Sequence, residues 1–180
     1  MHLFLGKWKK VAAFFGKKVL REVQEEEVLK AMPQLRRAVG DRAVLRALHF
    51  YADDRRAVEE ADALERRDRD AFLQLVKESG RSSWELLQNI TPAGAVEAQD
   101  MAIALEAAEI ALNGKGACRV HGGGFAGTIQ AFVPTESVSE FCEKNGIDVE
   151  KRLLPRVEYT TDRRNCTLKY VMKTEEARHE

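Results

Sequence analysis

The sequence predicts an α+β fold, in which several helices pack on a small antiparallel sheet. Apolar side chains recur at helical spacing through most of the first 112 residues. Short runs that alternate like strands come later, at 117–120, 128–133 and 157–172. Hydrophobic residues make up 44% of the 180-residue chain, which is enough for one domain of ordinary size with a sizeable core.

Composition and charge exclude several classes of function. The 29 Lys and Arg residues balance 29 Asp and Glu residues, so no nucleic-acid partner is expected. The three cysteines, Cys118, Cys142 and Cys166, form no CxxC pair and have no nearby His ligand set, which argues against zinc and a disulfide framework. Free thiols favour a reducing cytoplasm. No apolar run is long enough to span a bilayer.

Residues 1–24 form a basic amphipathic segment. Its first 21 residues contain six Lys and Arg residues and no acid. Phe4, Trp8, Val11, Phe15 and Val19 recur at helical spacing, which allows a membrane-surface helix. A helix that packs this stripe on the domain is favoured, because acidic residues follow from Glu22 onward.

The first helices are predicted from periodicity and from their end signals. A helix over 3–15 ends before Gly16, and a second spans 25–38, weakened at Pro33 and ended by Gly40. Residues 18–23 are ambiguous and allow a short strand. Asp41 is expected to cap a helix that runs to about residue 67.

The buried side of that long helix is predicted from its apolar residues, Val44, Leu48, Tyr51, Val58 and Ala61. Asp53 and Asp54 allow either an acid–base role or a solvated helix face, and the solvated face is favoured. His49 is interpreted in the same way, as a helix residue rather than a base.

The next two helices follow similar signals. Asp68 should cap one helix, with Phe72, Leu75 and Val76 inward and Gly80 as its end. Residues 82–85 resemble a capping box, which is favoured over a phosphate-binding role for the two serines, Ser82 and Ser83.

Thr91-Pro92 should begin another helix, ended by Asn113-Gly114. Its apolar stripe consists of Met101, Leu105, Ala108 and Leu112.

After the first two strands, a short helix is expected from Pro134-Thr135 to Asn145-Gly146. Residues 156–173 alternate again and predict two further strands joined by 162–165. Residues 174–180 are expected to be a disordered tail.

The glycine run His121–Gly127 between two strands is the main candidate for a site. Glycines are kept where positive φ is required or where the backbone must approach another group closely. Composition alone favours a hairpin turn over a loop that lies against phosphate or sugar.

Residues 116–127, GACRVHGGGFAG, resemble the third motif of the GHMP kinases, and more closely that of the galactokinase family, whose form is near GARMTGGGFGG. His121 stands where many members have Thr, and Ala126 where many have Gly. Segments 11–16, 46–50 and 72–79 also resemble the carboxy-terminal half of that family, so the resemblance covers about residues 11–134.

The resemblance implies a GHMP-kinase carboxy-terminal, ferredoxin-like domain over 25–173. It also implies ATP-dependent phosphorylation of galactose at its 1-hydroxyl, with the glycine loop beside the nucleotide phosphates and the sugar. The implied loop residues are Gly122, Gly123, Gly124, Phe125 and Gly127. No catalytic or metal-binding residue is assigned. ATP and Mg²⁺ are expected only in the complete kinase, and no cofactor for this chain alone.

The family's phosphate loop, near PxxxGLSSSA, and its amino-terminal sugar signature do not occur in the 180 residues. We therefore expect a fragment, a split gene or a remnant that is inactive unless an amino-terminal half is supplied in trans. The alternative is a non-catalytic interaction module or inert remnant, whose uncovered face permits self-association. Residues 1–10 and 156–165 have no clear counterpart in the family.

Overall fold

The computed structural model describes residues 2–124, 128–146 and 168–173, with side chains described over 8–124 and 128–146. Helices dominate the first two thirds, and a three-stranded sheet follows, so the predicted α+β class is confirmed. The helices are α1 (His2–Phe14), α2 (Glu25–Lys30), α3 (Met32–Val39), α4 (Asp41–Glu65), α5 (Arg69–Ser82), α6 (Asp100–Leu112) and α7 (Val138–Lys144). The strands are β1 (Ala117–His121), β2 (Thr128–Val133) and β3 (Leu168–Lys173).

The amino-terminal helices pack around one apolar cluster. Val11 of α1 is fully buried and packs with Val28, Leu35 and Val44. The packed-helix interpretation of the basic segment is therefore confirmed at Val11, whereas Val19, the last residue of the predicted stripe, is 51% exposed. The ambiguous stretch 18–23 is a 3₁₀ turn over Leu20–Glu22 and not a strand, because the amide of Val23 donates locally to the Leu20 carbonyl at 3.0 Å.

Two predictions for α4 were wrong. Asp41 does not cap the helix: its carboxylate accepts instead from the Arg36 guanidinium at 2.8 Å, and that pair lowers the pKa of Asp41. Val58 and Ala61 are exposed, because the long helix is covered by neighbours mainly along its first half. The residues that α4 buries are Ala43, Val44, Arg46, Ala47, His49 and Ala63.

Helix α5 begins as predicted and ends later than predicted. The Asp68 carboxylate accepts from the Ala71 amide at 3.0 Å, which confirms the cap. Gly80 lies inside the helix and does not end it. Its lack of a side chain lets α5 approach β1, since a Cβ there would lie 3.2 Å from Arg119 Cβ. Ser82 and Glu85 form no capping box, since the helix continues through a π turn over Ser83–Leu87.

Helix α6 begins at Asp100, nine residues after the predicted start at Thr91. Gly94, with a φ of +86°, interrupts the segment between Pro92 and the helix. The predicted apolar stripe is confirmed, because Met101, Leu105, Ala108 and Leu112 are the residues that α6 buries. Asn113 adopts the left-handed conformation and ends the helix, as predicted.

The sheet has the order β1-β2-β3, and both pairs are antiparallel. Ala117 lies opposite Phe132, and His121 lies opposite Thr128, so the glycine loop closes a β1–β2 hairpin. β3 falls within the predicted carboxy-terminal strand, whereas the strand expected near 157–161 lies outside the described residues. The second apolar cluster joins the sheet to α6 and α7 through Leu105, Val120, Ile129, Val133 and Phe141.

Gly116 is required by the packing of α6 on the sheet. A Cβ at this position would lie 2.2 Å from the carbonyl oxygen of Phe132 and 2.7 Å from Leu112 Cδ2. The Leu112 methyl group can move, but the Phe132 carbonyl belongs to a paired strand and cannot. The β1–β2 ladder therefore excludes any side chain at position 116.

We predict that Gly116→Ala lowers the free energy of unfolding by about 2–3 kcal/mol through overpacking. Gly123→Ala is the matched control, because a Cβ at 123 would meet no described residue within 4 Å, and it should leave the stability nearly unchanged. Urea unfolding followed by circular dichroism measures both. Equal stability of the two variants would contradict this account of the packing.

Candidate functional site

Residues 122–124, the described part of the glycine loop, follow directly from the end of β1. Gly122 and Gly124 have φ values of +74° and +77°, a region that L residues with side chains rarely adopt. Positive φ, one of the two reasons for glycine given in the sequence analysis, therefore applies at Gly122 and Gly124. Gly123 has no such requirement. Phe125 and Gly127 lie outside the described residues, so their place near a ligand stays a prediction.

The two sides of this loop differ in the space around them. A Cβ at Gly122 or Gly123 would meet no atom within 4 Å in the part of the chain that the structure describes. A Cβ at Gly124 would lie 2.1 Å from the carbonyl oxygen of Asn89, 2.7 Å from its Nδ2 and 2.8 Å from its Cβ. Gly124 therefore rests on Asn89, while Gly122 and Gly123 present bare backbone with room beside it.

Asn89 follows the π turn and is held by neighbouring backbone contacts. Gln88 adopts the left-handed conformation at φ +55°, an uncommon one for a residue with a side chain. Arg42 donates to the Gln88 carbonyl at 2.9 Å, and Arg46 donates to the Leu87 carbonyl at 3.0 Å. Both arginines belong to α4, so α4 fixes the backbone on which the glycine loop lies.

A shallow cavity of about 240 Å³ adjoins this turn and is lined by Arg42, Trp84, Gln88, Ile90 and Thr91. Pockets that bury a drug-sized ligand usually measure about 300–1,000 Å³. A nucleoside triphosphate would therefore not be enclosed by this cavity alone.

A polar network lies behind β1 and connects α4, α5 and the strand. The Asp53 carboxylate accepts from the Ser79 hydroxyl and from Arg56, each at 2.7 Å. The second Asp53 oxygen faces His49 Nε2 at 3.5 Å and Arg119 Nη2 at 3.8 Å. Arg119 is one of the residues that match the family motif, and the network ties it to the helices.

His49 completes this network through Ser82, whose hydroxyl lies 2.9 Å from Nδ1. The neutral tautomer with its proton on Nε2 suits both contacts, because Nδ1 then accepts and Nε2–H faces the carboxylate. Ser82 is only 4% exposed and His49 only 6%, so a substrate cannot reach this Ser–His–Asp arrangement. We interpret the arrangement as structural, in agreement with the interpretation of His49 from the sequence. Asp53 was expected on a solvated helix face and is instead partly buried at the centre of the polar network.

Burial lowers the pKa of His49, against the opposing effect of Asp53. Burial also raises the pKa of the Cys118 thiol to about 12, assisted by Glu109, whose carboxylate lies 3.5 Å from Sγ. Cys142 is buried as well, with a raised pKa. Neither thiol is ionised near neutral pH, so neither is a candidate nucleophile. Cys166 lies outside the described residues.

The candidate histidine beside the loop, His121, is exposed at the end of β1. Within residues 2–124, 128–146 and 168–173, no three His, Cys, Asp or Glu side chains cluster as metal ligands would. Over the same residues, no helix combines the length and the apolarity needed to cross a bilayer.

Comparison with known proteins gives one consistent result. No family model matches the chain. It is 31% identical over 127 residues to a galactokinase of Glaesserella parasuis and 32% identical over 127 residues to one of Actinobacillus pleuropneumoniae. A galactokinase of Mannheimia succiniciproducens is 30% identical over 129 residues. Each match covers 71–72% of this chain and 31% of the relative, so the chain matches about a third of their length.

The pKa of His49 predicts a pH dependence of folding. Because the folded value lies below the ordinary 6.5, the unfolded chain binds more protons as the pH falls through 6.5. The free energy of unfolding that depends on neutral His49 is fully present above pH 6.5. It decreases as the pH falls from 6.5 toward the lower pKa of the folded state. The charged groups that act on His49 are Asp53 and Arg56 of α4 and Arg119 of β1.

We expect His49→Gln to flatten the fall in unfolding free energy between about pH 7.5 and 5.5. Val58→Ala, a change without a titrating group at an exposed position of the same helix, is the control and should retain the wild-type slope. Urea unfolding at a series of pH values measures the slopes. A His49→Gln slope equal to that of wild type would show that His49 titrates normally in the fold.

Proposed function

Because the chain carries a galactokinase-like region, we propose that it forms the carboxy-terminal wall of an ATP-dependent sugar kinase. The reaction is transfer of the γ-phosphoryl group of ATP to the 1-hydroxyl of galactose, with Mg²⁺ bound to the nucleotide in the complete enzyme. The proposed loop residues beside the phosphates and the sugar are Gly122, Gly123, Gly124, Phe125 and Gly127. We place the protein in the cytoplasm, where thiols stay reduced.

The open side of the glycine loop is the observation that carries this proposal. Phosphoryl transfer depends mainly on positioning and electrostatic stabilisation, so the walls of the cleft must approach the substrates closely. Gly122 and Gly123 offer bare backbone, and a Cβ added at either position would have no atom of the described residues within 4 Å, which suits such an approach. A loop that served only as a turn would not need glycine at 123, because Gly123 is not among the residues with positive φ.

The rest of the cleft is proposed to come from an amino-terminal kinase half. Residues 1–180 contain no GLSSSA-type phosphate loop and no GxxxxGK loop. The described carboxylates do not gather into a magnesium site. We therefore propose that the 180-residue chain alone neither binds ATP tightly nor phosphorylates a sugar.

An alternative function is a non-catalytic interaction module. Ile103 and Ile110 are 70% and 68% exposed and lie two turns apart on one face of α6. Large exposed aliphatic side chains in one place are typical of a surface that contacts another protein. Sedimentation of the chain separates the two functions: concentration-dependent self-association through this face favours the module, and a clean monomer counts against it.

Reconstitution tests the kinase proposal. The amino-terminal part of the A. pleuropneumoniae galactokinase is mixed with this chain, or joined to it by a flexible linker, and galactose-dependent ATP turnover is measured. We expect turnover only when both parts are present. No turnover by the joined protein, with both parts folded by circular dichroism, would contradict the proposal.

Gly123→Val gives a sharper test in the same assay. Position 123 has free space among the described residues, so we expect the variant to fold but to lose at least about 100-fold in turnover, because the valine occupies space meant for substrate. Val58→Ala, a change at an exposed position of α4, is the control and should retain activity. Full activity of Gly123→Val would show that the loop is only a turn.

A further inference from the structure

We propose that Asn89 is the positioning residue of the glycine loop. It supports Gly124 from beneath, so that Gly122 and Gly123 are held with their open side toward the substrates. Asn89 lies in none of the segments that carry the resemblance, 11–16, 46–50, 72–79 and 116–127, and nothing in its local sequence marks it. The contact between Asn89 and Gly124 is a feature of this chain's geometry. Its effect on turnover rests on the proposed kinase function.

The contact between Asn89 and Gly124 is too close for any side chain at position 124. Three atoms of Asn89, from both its backbone and its side chain, would lie within 2.8 Å of a Cβ on Gly124. Real Cβ atoms do not approach other atoms so closely, so Gly124 meets Asn89 through bare backbone on its own side of the contact. Gly122 and Gly123 have no comparable neighbour among residues 2–124, 128–146 and 168–173, which makes Gly124 the anchored glycine of the three.

The support beneath the loop is itself fixed. Asn89 is 1% exposed, and the two carbonyl groups before it in the chain accept hydrogen bonds from Arg46 and Arg42 of α4. The left-handed conformation of Gln88 directs the chain from the π turn into this position. A displacement of Asn89 would therefore have to break contacts with α4, so the loop takes its position from the helix.

The chemistry of the Asn89 side chain also favours a positioning role. Its Oδ1 atom is buried and has no hydrogen-bond partner among the described residues. A buried acceptor without a donor is unfavourable for stability, so an apolar residue of similar size would suit a purely structural position better. The presence of an amide side chain at position 89 is explained if this side chain holds Gly124 in place and does not serve the apolar core.

The first test measures loop order in the 180-residue chain. Amide order parameters from NMR relaxation are compared for wild type, Asn89→Ala and Asn145→Ala. Asn145 is the matched control, since its Nδ2 bonds the Phe141 carbonyl at the end of α7, away from the loop. We expect the order parameters of Gly122 and Gly123 to fall from about 0.85 to below about 0.6 in Asn89→Ala only.

An Asn89→Ala loop as ordered as that of wild type would overturn the proposal, and so would equal loosening in Asn145→Ala. If Asn89→Ala does not fold, Asn89→Ser is measured by the same criterion.

The second test uses the joined kinase described above. At a temperature where all variants are folded, we expect Asn89→Ala to lower kcat about 10- to 100-fold through misplacement of the loop, and Asn145→Ala to leave it within about twofold. Unchanged kcat in Asn89→Ala would overturn the positioning role. Absence of turnover in the wild-type joined protein would count against the kinase function instead, and the order parameters would still decide the role of Asn89.

Discussion

The close packing of α5 on β1 is the constraint on which the rest of the structure depends. Gly80 lets the helix approach until a Cβ would lie 3.2 Å from Arg119 Cβ and 3.3 Å from the Cys118 carbonyl oxygen. At the same interface, Asp53 receives contacts from α4, α5 and β1. One apolar cluster lies among α1 to α4, and the other lies between α6, α7 and the sheet. This interface joins the two clusters, and β1 leads directly from it into the glycine loop.

The glycine loop is therefore held from two directions. β1 enters it from the polar network, and Asn89 supports Gly124 from the turn that α4 fixes. A loop fixed in this way can present backbone at Gly122 and Gly123 without reorganising when substrates arrive, which is the property that phosphoryl transfer asks of its surroundings. On this account the three glycines have different tasks: two face the proposed cleft, and one faces the protein.

Local signals in the sequence were sufficient for most elements. The stripe of α6, the Asp68 cap, the first two strands and the α+β class were all predicted correctly. Predictions failed where a distant contact overrode a local preference. Gly80 has the sequence context of a helix end but is a packing position against β1, and Asp41 has that of a cap but pairs with Arg36. Asn89 could not be found from the sequence, because its partner lies 35 residues away and only the fold brings the two together.

A structure of the joined kinase with galactose and a non-hydrolysable ATP analogue tests the central claim most directly. The claim is that the open side of the glycine loop lines the substrate cleft while Gly124 stays on Asn89. We predict that the backbone of Gly123 lies within about 4.5 Å of a sugar or phosphate atom, the distance of ordinary contact. A loop that lies more than about 10 Å from both ligands, beyond the reach of a contact bridged by one water, would contradict the account.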